Sequence, residues 1–166
     1  MTTGRIELGP NGRAVAANVK RLRAARGMSL RALSEALQKA GRGLSADAIN
    51  KIENGASAEA KQIRRVDIDD LMALAVVLGV SPVTLLLPAD ARGTAEITGV
   101  GEVDARAAWH WAWCNEPLTL PEGEEEAERA YAEFMLNSRP IGLFASQGDD
   151  RAPGHIREPR PGGSDG

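Results

Sequence analysis

The sequence contains one cysteine, Cys114, in 166 residues. A single thiol excludes an intramolecular disulfide and leaves a cysteine-based zinc site short of ligands. Aromatic residues make up only 4% of the chain against 43% hydrophobic residues, so the core must be aliphatic and alanine-rich. That composition favours packed helices over a sheet. No apolar run approaches bilayer length, and Met1–Leu8 lacks the apolar centre of a signal peptide. These two absences point to a cytoplasmic protein without membrane attachment. There is no phosphate-binding glycine loop, no acid pair in a recognisable frame and no nucleophile with base and orienter, so no enzyme and no cofactor are expected. No internal repeat or heptad run is present.

What the sequence does contain is unevenly divided. Residues 1–66 carry 13 Lys/Arg and 5 Asp/Glu, whereas residues 67–166 carry 7 and 18. A basic front half is the footprint of a polyanion partner. It is equally the composition of a solvated helical surface, and charge alone leaves both readings open.

The front half is organised around Ser45–Gly55, a short helix with a start and a stop signal. Ser45 suits the N-cap, and Gly55 after Asn54 suits a left-handed C′ position. Ala48, Ile49 and Ile52 share one face, and Ala46, Asp47, Asn50 and Lys51 point away from it. Around this segment lie further short helices. Val15, Val19 and Leu22 define one from Arg13 to Gly27. Leu30, Leu33, Ala36 and Leu37 define another, capped by Ser29 and ending by Gly41. Asp67 or Asp69 opens a fourth, with Ile68, Leu71, Leu74, Ala75 and Leu78 as its buried face and Gly79 as its stop. Ser81-Pro82 starts a fifth, closed by Pro88. Residues 1–12 read as a loose arm with turn chemistry at Gly9–Gly12, and Ala56–Val66 as a linker in which Ala58–Ile63 forms at most a helical turn.

Two helices joined by a turn, the second short and polar on its free face, make a helix-turn-helix. Residues 15–87 resemble the helix-turn-helix domain of the XRE family, which includes the lambdoid phage repressors and Cro. The resemblance rests on Val19-Lys-Arg-Leu-Arg23, Gly27-Met-Ser-Leu30, Leu33-Ser34, Ile49-Asn-Lys-Ile-Glu-Asn-Gly55 and Leu74-Ala-Val-Val-Leu-Gly-Val-Ser-Pro82. It implies an all-α, five-helix Cro/repressor-like domain over residues 13–88, binding double-stranded DNA as a homodimer. Ser45–Asn54 becomes the recognition helix in the major groove. Base contacts are then expected from Ala46, Asp47, Asn50 and Lys51, with lysine suited to guanine, asparagine to adenine and aspartate to cytosine. For Asp47 a simpler role, favouring the helix dipole, stands beside this one. Ser29, Arg31, Asn54, Lys61, Arg64 and Arg65 are the expected phosphate contacts. Arg23 and Glu53 match a pair that in family members joins the first helix to the third as an internal ion pair.

The chain departs from the family in two places. Leu30 stands where a phosphate-clamping glutamine is usual, and the connections Gln38–Leu44 and Ala56–Val66 are long. The lengthened pattern is similar to that of regulators from high-GC Gram-positive bacteria.

After a linker at residues 89–93, residues 94–145 read as a small, mainly helical extension. Thr94–Val103 is expected as a short strand or an extended segment. Asp104 caps a helix to about Asn115 holding Trp109, Trp111 and Trp113, and Glu122–Ser138 is amphipathic with Ala127, Ala130, Tyr131 and Phe134 on one side. Trp109 and Trp113, four apart, share a face with Ala105 and Ala112 and are expected to pack on the first domain or against a second subunit, or to line an effector pocket, with Trp111 pointing elsewhere. His110 and Cys114 sit four apart but lack a third ligand, so no metal is expected. Residues 146–166 have nothing to bury and read as a disordered tail. Two functions fit: a sequence-specific transcriptional regulator, or an antitoxin-like interaction protein whose acidic second half binds a partner protein. A small-molecule effector at the C-terminal region is compatible with either.

Overall fold

The computed structural model describes residues 7–57 and 59–140. In chain order the elements are α1 (Pro10–Ala25), α2 (Leu30–Lys39), α3 (Ala46–Asn54), α4 (Ile68–Val77), α5 (Pro82–Leu86), β1 (Thr94–Ile97), β2 (Gly101–Asp104), α6 (Ala105–Ala112) and α7 (Glu124–Ser138). The fold is mainly helical, with one two-stranded antiparallel sheet among the described residues. Residues 1–6 of the expected arm and all of the expected tail lie outside the described residues.

The helix ends follow local chemistry, with two corrections. Ser29, Ser45 and Asp67 cap α2, α3 and α4 by accepting from the N–H groups of Ala32, Ala48 and Asp70. α1 begins at Pro10, earlier than Arg13, because proline at the first helical position has the required φ and needs no hydrogen-bond partner. Gly9–Gly12 is therefore a helix start and not a turn. Gly55 is the second correction. Its φ of −61° and ψ of −11° are ordinary helical values. What demands glycine there is space: a Cβ would collide with the Leu8 side chain and would lie 3.0 Å from the Ile52 carbonyl oxygen and 3.4 Å from the Ala16 Cβ.

The first five helices bury one aliphatic core, in which Val19 of α1, Leu33 and Leu37 of α2, Ile49 and Ile52 of α3, Leu74 of α4, Leu78 just past its end and Leu85 of α5 are fully enclosed. Ile68, expected on the buried face of α4, is 77% exposed. Two residues apart on a helix lie on nearly opposite sides, and it is Asp70 that turns inward, wholly buried.

The extended segment after residue 93 is a hairpin. Thr94 pairs with Asp104 and Ile97 with Gly101, and Ala95 and Ile97 alternate inward to meet Leu87, Ala105 and Ala108 in a second core. Buried Asn18 of α1 joins the two cores. Its amide donates to the carbonyls of Leu85 and Leu87 at 3.1 and 2.8 Å, satisfying acceptors left over where α5 ends. Asn11 repeats the arrangement, donating to the Leu86 carbonyl and accepting from the Thr98 N–H at 2.8 Å.

The tryptophan segment is only partly core. Trp109 is half-buried and its indole donates to the Pro88 carbonyl at 3.1 Å, whereas Trp113, lying past the end of α6, is 58% exposed. α7 buries none of its side chains, and Tyr131 on its apolar side is exposed. Hydrogen bonds from Tyr131 to the Asn115 carbonyl and from Arg139, just past α7, to the Cys114 carbonyl join it to the turn after α6. Among the described residues no helix is long and apolar enough to cross a membrane.

At an open helical site, glycine to alanine normally stabilises by up to about 1 kcal/mol. At position 55 the Leu8 and Ile52 contacts reverse that sign. Gly55→Ala is expected to destabilise by about 1–3 kcal/mol, read from urea denaturation midpoints; a stabilised variant would show that Leu8 simply swings aside.

Candidate nucleic-acid interface

The nine residues of α3 have two chemically opposite faces. Ile49 and Ile52 are buried and Ala48 is half-buried, while Asp47 and Asn50 are exposed and Ala46 and Lys51 partly so. The four residues chosen from the sequence thus share the outward face. The Ser45 hydroxyl accepts from the Ala48 N–H at 3.1 Å. Lys51 Nζ lies 2.7 Å from Asp47 Oδ2, one helical turn away. Asp47 stands in the first turn of α3, where the helix dipole favours a carboxylate, and both members of the pair are open to solvent. The Asn50 amide makes no hydrogen bond among the described residues.

On the buried side Glu53 is only 5% exposed and meets Arg23 of α1 in a fork, with Nε to Oε1 at 2.6 Å and Nη2 to Oε2 at 2.8 Å. The third guanidinium nitrogen donates to the Met28 carbonyl at 2.8 Å. The hydrogen bond to Glu53 raises the Arg23 pKa above its ordinary value. The pair joins α1, the turn after it and α3 in one contact.

The remaining sequence-chosen residues are placed unequally. Ser29 is exposed at the start of α2, with its hydroxyl engaged by the Ala32 N–H. Arg31 is exposed and pairs with Glu35 at 3.0 Å. Asn54 reaches the Gln62 carbonyl at 3.4 Å, Lys61 is exposed, and Arg65 donates to the Glu7 carbonyl at 3.0 Å. Arg64 is different. Its guanidinium holds Asp70 at 2.9 Å, and its backbone N–H donates to the Lys51 carbonyl at 3.1 Å.

Asp70, Arg42 and Asn18 were not anticipated. Asp70 takes Arg42 Nε on its other oxygen at 2.7 Å, and Arg42 also reaches Asp67 at 2.6 Å. The hydrogen bond to Asp70 raises the Arg42 pKa. The Asp70 N–H, with Arg42 contributing, holds the Asp67 carboxyl below the usual carboxylate range. A signal for Asp70 did exist: it lies one turn before Leu74, on the buried stripe of α4, but three acids at a helix start also satisfy the dipole and hide the distinction.

In the second half, Trp111 and Ala112 help line an apolar cavity of about 360 Å³ against Leu87 and Ile97. His110 faces Glu116 at 3.4 Å and not Cys114. Among the described residues no group of three metal-ligating side chains occurs.

Residues 19–85, about two-fifths of the chain, match the family model described as helix-turn-helix. No curated protein and no solved structure matches the chain.

Glu53→Ala leaves the Arg23 guanidinium facing the protein without its partner. The variant is expected to lose about 3–5 kcal/mol of folding stability, measured by chemical denaturation with α-helical signal as readout. A loss below about 1 kcal/mol would mean that water replaces the carboxylate at no cost.

Proposed function

Residues 19–85 being an XRE-family helix-turn-helix domain, we propose that this protein is a cytoplasmic, sequence-specific transcriptional regulator that inserts α3 into the major groove as a homodimer. The family is one of DNA-binding regulators and not of enzymes. The observation that carries the reading is the outward face of α3, where Ala46, Asp47, Asn50 and Lys51 stand together on a helix whose other side is locked in the core. Side chains on so firmly seated a helix present hydrogen-bonding groups to base edges with little ordering cost. Lys51 suits guanine acceptors, Asn50 suits adenine, and Ala46 suits a thymine methyl group. Asp47 orients Lys51 and can accept from a cytosine amino group. Ser29 and Arg31 at the start of α2, Asn54 at the end of α3, and Lys61 and Arg65 in the connection after it carry groups that suit phosphates.

A second reading, that the acidic C-terminal part binds a protein partner, is favoured by one observation. α7 buries nothing among the described residues, carries Glu124, Glu125 and Glu126 in its first turn and exposes Leu136. Co-purification of a small basic protein with the intact chain would support it.

Selection of bound sites from randomised duplex DNA should yield a two-fold-related motif. On that motif Lys51→Ala should relax preference at one base pair per half-site, by about 1–3 kcal/mol. An equal loss on all sequences would make Lys51 a phosphate contact. The salt dependence provides a separate check. Three cations per protomer, Arg31, Lys61 and Arg65, give a slope of log affinity against log salt of about −5 to −6 for a dimer. A flat response would remove DNA binding altogether.

A further inference from the structure

The two connections that flank α3 converge on a single carboxylate. Arg42 comes from the segment between α2 and α3, Arg64 from the segment between α3 and α4, and Asp70 stands in the first turn of α4. Asp70 is fully enclosed and gives one oxygen to each arginine, at 2.7 and 2.9 Å. Asp67, the cap of the same helix, takes the second arm of Arg42 at 2.6 Å and the Asp70 N–H at 2.7 Å. The Arg64 backbone is itself bonded to the last turn of α3 through the Lys51 carbonyl. Connections of this length have many conformations to lose, and a buried carboxylate left without partners would be costly. Neither segment can shift without breaking a charge-assisted bond to an acid that water does not reach.

We propose that Asp70 is a positioning residue for DNA recognition, fixing the entry and exit of α3 through Arg42 and Arg64 and keeping the Arg64 guanidinium off the phosphate backbone. This rests on the DNA-binding reading and deepens it. Arg64 was expected to bind phosphate from its sequence position. Its commitment to a buried acid converts it from a ligand of the duplex into a strut of the reading head. Specificity then depends on a residue that touches no nucleotide, whereas sequence-independent attraction does not.

Two variants of the full chain test the proposal, with affinity for the selected site and for an unrelated duplex measured across a range of salt. Asp70→Asn keeps the shape and removes the charge that holds both arginines. The ratio of specific to non-specific affinity is expected to fall at least about tenfold, while non-specific affinity holds or rises. The salt slope should steepen by about 0.9 for each arginine released to a phosphate. Equal losses on both duplexes with an unchanged slope would make Asp70 a purely structural residue and overturn the proposal, as would an unchanged ratio. Arg64→Ala decides the matter if Asp70→Asn does not fold, because Arg42 still holds Asp70. It is expected to lower the specific ratio and leave the slope alone. A slope shallower by about 0.9 per protomer would show that Arg64 binds phosphate after all. Wild-type protein without salt-dependent binding to either duplex would instead overturn the DNA-binding reading itself.

Discussion

A helix of nine residues spans only about 13 Å and gains too few hydrogen bonds to offset its own nucleation. α3 is such a helix, and the placing of its outward face depends on what holds the rest of it. Its inner face is fixed by Ile49 and Ile52, which belong to a core shared by five helices. Its last turn is fixed to α1 by the Glu53–Arg23 fork. Its end lies so close to Leu8, Ala16 and the Ile52 carbonyl that a Cβ at residue 55 would force a neighbour to shift. Hydrophobic burial sets the depth of the helix, and the ion pair, being directional, sets its rotation about its own axis. Neither alone would place Lys51 and Asn50 in a fixed register.

The same constraint explains how charge is used. A basic front half invites a count of phosphate ligands, yet several of its arginines are occupied by the protein's own carboxylates. Arg23 serves Glu53, Arg42 and Arg64 serve Asp70, and Arg13 pairs with Glu96 at 3.0 Å. Planar guanidinium groups with several donors suit such joints, because one side chain can tie a carboxylate and a backbone carbonyl together, as Arg23 does with Glu53 and Met28. What reaches the solvent around α3 is a smaller set, and its strength in water falls with salt. Local excess charge therefore draws a polyanion near. Under the proposed function, discrimination between sequences falls to the few polar groups of α3 whose geometry the buried pairs define.

Much of this was legible in the sequence, for identifiable reasons. Helix starts at Ser29, Ser45 and Asp67 and stops near Gly27, Gly41 and Gly79 are local, and local chemistry writes them directly. The Arg23–Glu53 pair is long-range and came only through likeness to a known family. The Asp70 joint came through neither, because it is built across the two connections where the chain departs from that family. Asn18 was invisible for a related reason. An asparagine on a helix reads as a surface residue until the unsatisfied carbonyls it serves, those of Leu85 and Leu87, are known to lie against it. Gly55 was placed correctly and explained wrongly, since glycine signals a left-handed turn and a close contact with the same letter.

The C-terminal half is attached in two different ways, and the difference matters for how it could influence α3. The hairpin and α6 are continuous with the first domain: Leu87 follows directly on α5, packs with Ala95, Ile97 and Ala105, and has its carbonyl held by Asn18 of α1. Arg13 and Asn11 add two further ties from α1 to the hairpin. α1 is also the helix that grips Glu53. Buried contacts therefore run without a break from α6 through Leu87 to α1, and from α1 through Arg23 to Glu53 of α3. α7 has no such route among the described residues, since its ties run to the turn after α6 and none of its side chains is buried. The apolar cavity beside Trp111 and Leu87 adjoins the first of these connections, from α6 to α1, since Asn11 of α1 and Leu86 of α5 also line it.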